Sequence, residues 1–204
     1  RRVGGGDSFA DLIAREIAEP LNLDGLYCGV PSDQLHRCAE LMAGAMTGPP
    51  DRRRQVAERS REVARRWAQR LRALHIPYDP TETVGALMPP GMEDLDLNST
   101  SFRTASIPAA NGMFTARSLA RLYACLACGG ELDGVRLLDQ ETIAQAATEQ
   151  NRGAGRVIPI SMRWRLGYHR VFAAGAGAPR AFGHFGAGGS GAFADPASKL
   201  AAAL

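Results

Sequence analysis

The stretch "FGHFGAGGSGAFADP", residues 182–196, decides how the carboxy-terminal part of the chain folds. Two short runs with alternating apolar residues flank a cluster of glycines, a pattern typical of adjacent antiparallel strands joined by a tight loop. Two neighbouring runs are also short and bounded by glycine or polar residues: "MRWRLGYHRVF" at 162–172 and "KLAAAL" at 199–204. We therefore predict an antiparallel strand meander over about 160–204.

The same stretch matches G-x-G-x-x-G between Gly186 and Gly191. A dinucleotide site with this motif requires a strand before it, a helix after it and an acidic residue about 20 positions later. The residues after Gly191 include Asp195-Pro196 and are predicted to form a strand, and no lysine directly follows the glycines as a P-loop would need. The nucleotide-binding interpretation is therefore rejected.

A Ser/His/acid set, His184, Ser190 and Asp195, lies in the same stretch. A catalytic triad is defined by geometry, so proximity in sequence is weak support. "GGSGA" also misses the G-x-S-x-G nucleophile elbow, because Ala192 stands where the last glycine belongs and no helix is predicted after the serine. Ser190 is therefore not expected to be a nucleophile.

Helical patterns dominate residues 1–150. Capping residues predict helix starts at Ser8, Ser32, Thr115 and Asp139, with the helix after Ser32 running to the Gly48-Pro-Pro50 stop. Residues 76–112 are rich in proline and glycine and are predicted to be irregular. Helices followed by a strand meander indicate one α+β domain of mixed α/β layers over residues 1–204, helical to about 150 and stranded from about 160.

The segment Asp51–Leu74 carries the clearest helical periodicity and nine arginines against three acidic residues. We predict a packed apolar stripe formed by Val56, Val63, Trp67, Leu71 and Leu74, beneath a solvated charged face. A basic amphipathic helix can also bind a membrane or nucleic acid, and that alternative stays open. The net charge of the chain is only +3, so we expect neither nucleic acid nor membrane contact.

The four cysteines are Cys28, Cys38, Cys125 and Cys128. Cys125-x-x-Cys128 lies at a predicted helix end without a partner pair, so buried free thiols are favoured over a metal or redox site. No cofactor or metal is expected. No apolar run reaches transmembrane length and no signal peptide is recognised, but the chain begins without a methionine and leaves its compartment undecided.

At the level of a family, "FGHFGAGGSGAFADP" resembles the third active-site motif of the serine β-lactamase and penicillin-binding-protein superfamily. The class C-like esterases and lipases, the family VIII carboxylesterases, show the greatest similarity. Three more stretches agree in the same order: "SFADLIAREIAEPLNLDGLYCGVP", "IPAANGMFTARSLARLYACLACGGELDGVRLL" and "WRLGYHRVF". The resemblance implies a β-lactamase/transpeptidase-like fold with antiparallel carboxy-terminal strands packed against helices.

This resemblance also implies site residues. His184-Phe185-Gly186 occupies the position of the family's K-T-G motif, where His184 would donate to substrate or help move a proton. Gly186 would allow substrate to approach the strand closely. The backbone N–H of Ala187 would join the oxyanion hole.

Two other motifs of the family have no counterpart here. Ser-x-x-Lys is excluded because the sole lysine is Lys199, and Pro196 stands three residues before it. None of the four tyrosines begins Tyr-x-Asn. We expect the carboxy-terminal portion of a serine hydrolase, which in complete form would cleave small ester or amide substrates through an acyl-enzyme and which is inactive alone. The alternative is a split or degenerate, non-catalytic member that self-associates or binds a partner chain.

Overall fold

A computed structural model describes residues 5–42, 48–171, 177–186 and 188–204. The chain forms two compact units. The first comprises Arg1–Val30, Ser106–Gly153 and Met162–Leu204, and the second comprises Pro31–Ala105 and Ala154–Ser161. The candidate residues of the third motif lie in the first unit.

The described ranges contain helices and short strands up to Ala147 and only strands after it. The α-helices are α1 (Phe9–Ile13), α2 (Pro50–Ala73), α3 (Pro80–Leu87), α4 (Thr100–Thr104), α5 (Ala116–Ala127) and α6 (Gln140–Ala147). Shorter helical turns are a π-helix at Ala14–Ala18 and 3₁₀ helices at Ser32–Arg37 and Met92–Asp94. The strands are β1 (Leu26–Cys28), β2 (Gly112–Phe114), β3 (Glu131–Leu132), β4 (Val135–Arg136), β5 (His169–Arg170), β6 (Phe182–Phe185), β7 (Gly191–Asp195) and β8 (Leu200–Ala203).

Three predicted helix caps of the first unit are confirmed. Ser8 Oγ accepts the N–H of Asp11 at 3.1 Å before α1, and Thr115 Oγ1 accepts the N–H of Ser118 at 3.1 Å before α5. Asp139 Oδ1 accepts the N–H of Thr142 at 2.6 Å before α6. Each bond satisfies an amide that has no partner within its helix, so these starts are determined locally.

The predicted strand meander is also confirmed. Strands β5, β6, β7 and β8 form one antiparallel sheet in that order, with His184 opposite Ala192 and Phe182 opposite Ala194. Helix α5 packs against one face of this sheet. The buried cluster between them consists of Leu119, Tyr123, Leu126, Ala127, Ile143, Phe182, Ala192 and Ala194.

Two glycines let β6 and β7 approach unusually closely. A Cβ added at Gly183 would lie 2.1 Å from the carbonyl oxygen of Ala192, and one added at Gly191 would lie 2.6 Å from the carbonyl oxygen of His184. Such distances to backbone atoms leave no room for a side chain. The glycines that looked like a nucleotide motif therefore include one, Gly191, that serves strand packing.

Residues 131–136 form a β-hairpin. Strands β3 and β4 pair antiparallel, with Leu132 opposite Val135. The two turn residues, Asp133 and Gly134, have φ of 52° and 79°. This is the conformation that two-residue hairpin turns favour and that Asp-Gly adopts readily.

In the second unit, the prediction for the packed face of α2 is wrong. The buried residues of α2 are Arg53, Ala57, Ala64 and Ala68, whereas Val63, Trp67 and Leu74 are exposed, Trp67 by 51%. Helix α2 packs against α3 and the Met92–Asp94 turn. Small alanines allow close helix approach, and the Arg53 guanidinium is bonded to the carbonyl oxygens of Gly48 and Glu93 at 2.7 and 2.9 Å.

The prediction that residues 76–112 are irregular is also wrong, since α3, α4 and the Met92–Asp94 turn lie there. Pro80 does not break α3 but begins it. Asp79 accepts the N–H of Thr81 at 2.9 Å as N-cap, and proline at the first helical position gives up an amide that needs no helical partner.

The helix predicted from Ser32 to Gly48 is shorter than expected. A 3₁₀ helix ends at Arg37, and residues 38–42 are not helical. Residues 43–47 of the predicted helix, which include Met46, lie outside the described residues. No described helix is both long enough and apolar enough to cross a membrane.

Candidate active site

His184 is presented by the central strand pair of the sheet in the first unit. It is the third residue of β6 and remains exposed, whereas Phe182 at the start of the strand is fully buried in the cluster beneath α5. The position of β6 is fixed by the burial of Phe182 and by its pairing with β7, so the backbone that carries His184 is well anchored. This is the position expected of a group that meets a substrate at a strand end.

A second histidine, His169, packs beside His184. The two ring centroids lie 5.2 Å apart with the rings tilted by 59°. His169 is only 2% exposed, and its ring centroid lies 5.8 Å from that of Trp164, with the two rings nearly perpendicular. The sequence does not indicate a role for His169, because nothing in "LGYH" distinguishes a buried histidine from a surface one.

Both ring nitrogens of His169 are bonded to the backbone. The N–H of Phe185 donates to Nε2 at 3.2 Å, and Nδ1 lies 2.8 Å from the carbonyl oxygen of Arg170. A nitrogen that accepts an N–H carries a lone pair, so the hydrogen of a neutral ring is on Nδ1 and is donated to Arg170. These two bonds fix the orientation of the His169 ring.

This surrounding lowers the pKa of His184 from its usual value of 6.5. The larger cause is burial of part of the ring, which disfavours the charged form, and the second is the neighbouring His169. A lowered pKa means that His184 is neutral at pH 7. A neutral imidazole offers one N–H donor and one lone pair.

Gly186 follows β6 and starts the turn to β7. Its N–H donates to the carbonyl oxygen of Ser190 at 2.8 Å, and its own carbonyl accepts the N–H of Gly189 at 3.1 Å. A Cβ at Gly186 would meet only the carbonyl oxygen of Ser190, at an ordinary 3.5 Å, and its φ is not in the left-handed region. Packing in the described chain thus does not require glycine here, unlike at Gly183. Ala187, whose N–H was assigned to the oxyanion hole, lies outside the described residues.

The Ser/His/acid set does not form a triad. Ala192 is the strand partner of His184, and Asp195 lies three residues further along β7. Three residues correspond to about 10 Å along a strand and place the Asp195 side chain on the opposite face of the sheet from His184. Asp195 is 8% exposed and accepts the N–H of Ala197 at 3.2 Å and the hydroxyl of Ser198 at 2.7 Å. Its carboxylate stabilises the β7–β8 turn instead. Ser190 is exposed.

The prediction of buried thiols at Cys125-x-x-Cys128 is correct for Cys125, which is buried, and wrong for Cys128, which is exposed. Burial raises the pKa of the Cys125 thiol, which makes it less reactive. Within residues 5–42, 48–171, 177–186 and 188–204, no group of three or more metal-ligating side chains comes together.

A cavity of about 960 Å³ lies elsewhere in the first unit, between the end of α5, α6 and the β7–β8 turn. Its charged lining residues have both signs and include Arg136, Arg165, Lys199 and Glu149. Neither His184 nor Gly186 lines it. We therefore assign the candidate site to the end of β6 and not to this cavity.

The expected β-lactamase-like fold agrees with the antiparallel sheet, with the helix packed on one of its faces, and with His184 and Gly186 at the end of β6. The sequence profile of the family described as Beta-lactamase matches residues 1–204. The chain belongs to the beta-lactamase family.

Known proteins similar to the chain include esterases and a penicillin-binding protein homologue. The esterase/beta-lactamase LipL of Mycobacterium tuberculosis is 35% identical over 211 residues, which cover 98% of this chain and 43% of LipL. The crystal structure of a family VIII carboxylesterase superposes with a TM-score of 0.72 at 27% identity, covering 98% of this chain and 46% of that one. A penicillin-binding protein homologue from Caulobacter crescentus gives 0.71 at 30% identity, covering 97% and 46%. The chain spans less than half the length of these relatives.

Proposed function

We propose that this chain is the part of a serine carboxylic-ester hydrolase that carries the third active-site motif. The complete enzyme would cleave small esters through an acyl-enzyme, with the nucleophilic Ser, its Lys and the Tyr base supplied by polypeptide outside these 204 residues. In this proposal His184 contacts the substrate, Gly186 gives it room beside the strand, and the N–H of Ala187 stabilises the oxyanion. Membership of the family and the esterase names of two relatives support the assignment.

The observation that carries the proposal is the contrast between Gly186 and Gly183. Gly183 is needed for strand packing, whereas Gly186 has space around it and no left-handed φ. A glycine that packing does not require, next to an exposed histidine on a rigid strand, suits a surface kept free for a ligand.

The lowered pKa of His184 favours an ester over a β-lactam as substrate. In the superfamily motif this position is usually lysine, whose ammonium meets the carboxylate of a β-lactam. An imidazole that is neutral at pH 7 binds an anion less strongly than an ammonium. A neutral donor is nevertheless adequate for an uncharged ester.

The experiment compares two proteins: the 204-residue chain, and the same chain extended by the polypeptide encoded directly before it. Both are treated with a fluorophosphonate probe and assayed with p-nitrophenyl butyrate. We expect labelling and ester cleavage only in the longer protein, at a serine of Ser-x-x-Lys, and loss of cleavage on His184→Ala. An extended protein without that motif, or with it and unlabelled, would contradict the proposal.

One observation favours a second function, association through a sheet edge. In the described sheet β8 is the last strand and pairs only with β7, and Leu200 and Leu204 near it are exposed. An open edge with apolar side chains is a template for pairing with another chain. The N–H of Ala203 faces the open edge, because hydrogen-bonded pairs alternate along the ladder and Leu204 forms one with Gly191. Dimers in sedimentation experiments that dissociate on Ala203→Pro, together with absence of the upstream motif, would support this alternative.

A further inference from the structure

The short strand β5 ends before it can pair with the whole of β6. Their register places His169 opposite Gly183 and Arg170 opposite Phe182, and the ladder stops there. Continued pairing would set Gly167 opposite Phe185, but Gly167 has a φ of 81° and lies in a turn. The N–H of Phe185 therefore has no β5 backbone group as its partner.

The side chain of His169 takes that partner's place. Gly186 donates its N–H towards β7, to Ser190, and because amides alternate along a strand that of Phe185 points the other way. There it meets Nε2 of His169 at 3.2 Å. The opposite nitrogen, Nδ1, bonds to the carbonyl oxygen of Arg170 at 2.8 Å, which fixes the ring to its own strand.

The ring of His169 is also enclosed by aromatic side chains. Trp164, His184 and Phe185 lie with ring centroids 5.8, 5.2 and 5.9 Å from it. With 2% of its surface exposed, the imidazole has little freedom to turn. A rigid ring with both nitrogens bonded transmits the position of β5 to the residue between His184 and Gly186.

We propose that His169 is the positioning residue of the third motif: its imidazole, with hydrogen on Nδ1, replaces the missing strand pairing at Phe185 and thereby holds His184 and Gly186 at the open end of β6. The inference rests on the proposed function for its catalytic consequence. The bond itself does not depend on that function. His169 does not contact substrate in this role; it acts through the strand.

Two variants separate the bond from the bulk of the ring. His169→Gln keeps an acceptor at about the reach of Nε2, whereas His169→Phe keeps a planar ring and removes the acceptor. His36→Gln is the matched control, because His36 is exposed, lies in the second unit and also bonds through Nδ1 to a backbone carbonyl, that of Asp33 at 2.8 Å.

The first measurements use NMR on the 204-residue chain. We expect the ¹⁵N shifts of His169 to show hydrogen on Nδ1 and none on Nε2 in the unchanged protein. We expect hydrogen exchange at the Phe185 amide to rise roughly tenfold or more in His169→Phe, to return towards the original rate in His169→Gln, and to stay unchanged in His36→Gln. Exchange at Phe193 in β7 serves as the internal reference.

The second measurement uses the extended, active protein. We expect His169→Phe to lower kcat on p-nitrophenyl butyrate about 100-fold with little change in KM, since small displacements of a catalytic strand cost that much, and His169→Gln to recover most of it. An Nε2–H tautomer, unchanged Phe185 exchange in His169→Phe, or failure of glutamine to rescue exchange would overturn the proposal. Should His169→Phe not fold, the tautomer and the glutamine variant decide. An extended protein with the expected NMR results but no esterase activity refutes the proposed function and leaves the strand-positioning bond established.

Discussion

The imidazole rings of His169 and His184 lie 5.2 Å apart at the end of β6, one buried and bonded at both nitrogens, the other exposed. They come from strands that pair over only two residues. The buried ring of His169 holds β6 at Phe185, and the exposed ring of His184 is accessible to a ligand.

His184 should titrate below the usual histidine value of 6.5, because burial and His169 both disfavour its charged form. The unfolded chain then binds more protons than the folded one as pH falls below about 6.5, so the free energy of unfolding decreases there. NMR titration of the His184 ring gives the pKa, and urea unfolding gives the stability. His184→Gln should flatten the profile in that range; a His184 pKa at or above 6.5 would contradict the assignment.

Gly183 and Gly186 should respond oppositely to alanine. Gly183→Ala places a Cβ 2.1 Å from a backbone oxygen, and we expect a loss of about 2 kcal/mol or more in the free energy of unfolding. Gly186→Ala meets an atom only at 3.5 Å and should change stability by less than about 0.5 kcal/mol. Urea denaturation compares the two. In the extended protein Gly186→Ala should still reduce kcat/KM for esters, and full activity would argue against a substrate beside this strand.

His184→Lys should shift the preference of the extended protein from esters towards β-lactams. An ammonium attracts the carboxylate of a β-lactam, whereas the neutral histidine does so weakly. We expect the ratio of kcat/KM for nitrocefin to that for p-nitrophenyl butyrate to rise at least about tenfold, which corresponds to roughly 1.4 kcal/mol. His184→Gln, which stays neutral, is the control and should leave the ratio low.

Ser190 and Asp195 should prove structural or neutral, not catalytic. The 204-residue chain should not react with a fluorophosphonate, and Ser190→Ala should leave that unchanged; serine-specific labelling lost on Ser190→Ala would restore Ser190 as a nucleophile.

Asp195→Ala should instead lower the free energy of unfolding by about 1–2 kcal/mol, since it removes the acceptor for Ala197 and Ser198.

In the second unit, ionised Glu93 should make the free energy of unfolding decrease as the pH falls. Arg61 binds it through two hydrogen bonds of 3.0 and 2.9 Å and lowers its pKa from 4.5 to about 2. Stability from this pair is present above about pH 4.5 and is lost as pH falls towards 2. The Tm of Glu93→Gln should therefore vary less over that range. Glu62→Gln, which removes only the exposed pair with Arg66, is the control and should retain the original profile.

Local chemistry explains which features were predictable. The caps at Ser8, Thr115 and Asp139 depend on a side chain and an amide three residues away, so the sequence reveals them directly. The proline-rich segment 76–112 was wrongly predicted to be irregular, because Pro80 begins a helix when Asp79 caps it. Proline signals both a helix start and a helix stop, and only its neighbours distinguish the two.

By itself the sequence determined the antiparallel meander, three helix starts and the motif His184-Phe185-Gly186, because alternation, caps and glycine spacing act over a few residues. Tertiary structure decided which face of α2 is buried, where alanines rather than Trp67 meet α3. It also decided that Asp195 serves a turn, and that His169 bonds to Phe185 sixteen residues away. Burial and long-range hydrogen bonds depend on which elements become neighbours, and no local pattern in the sequence records that choice.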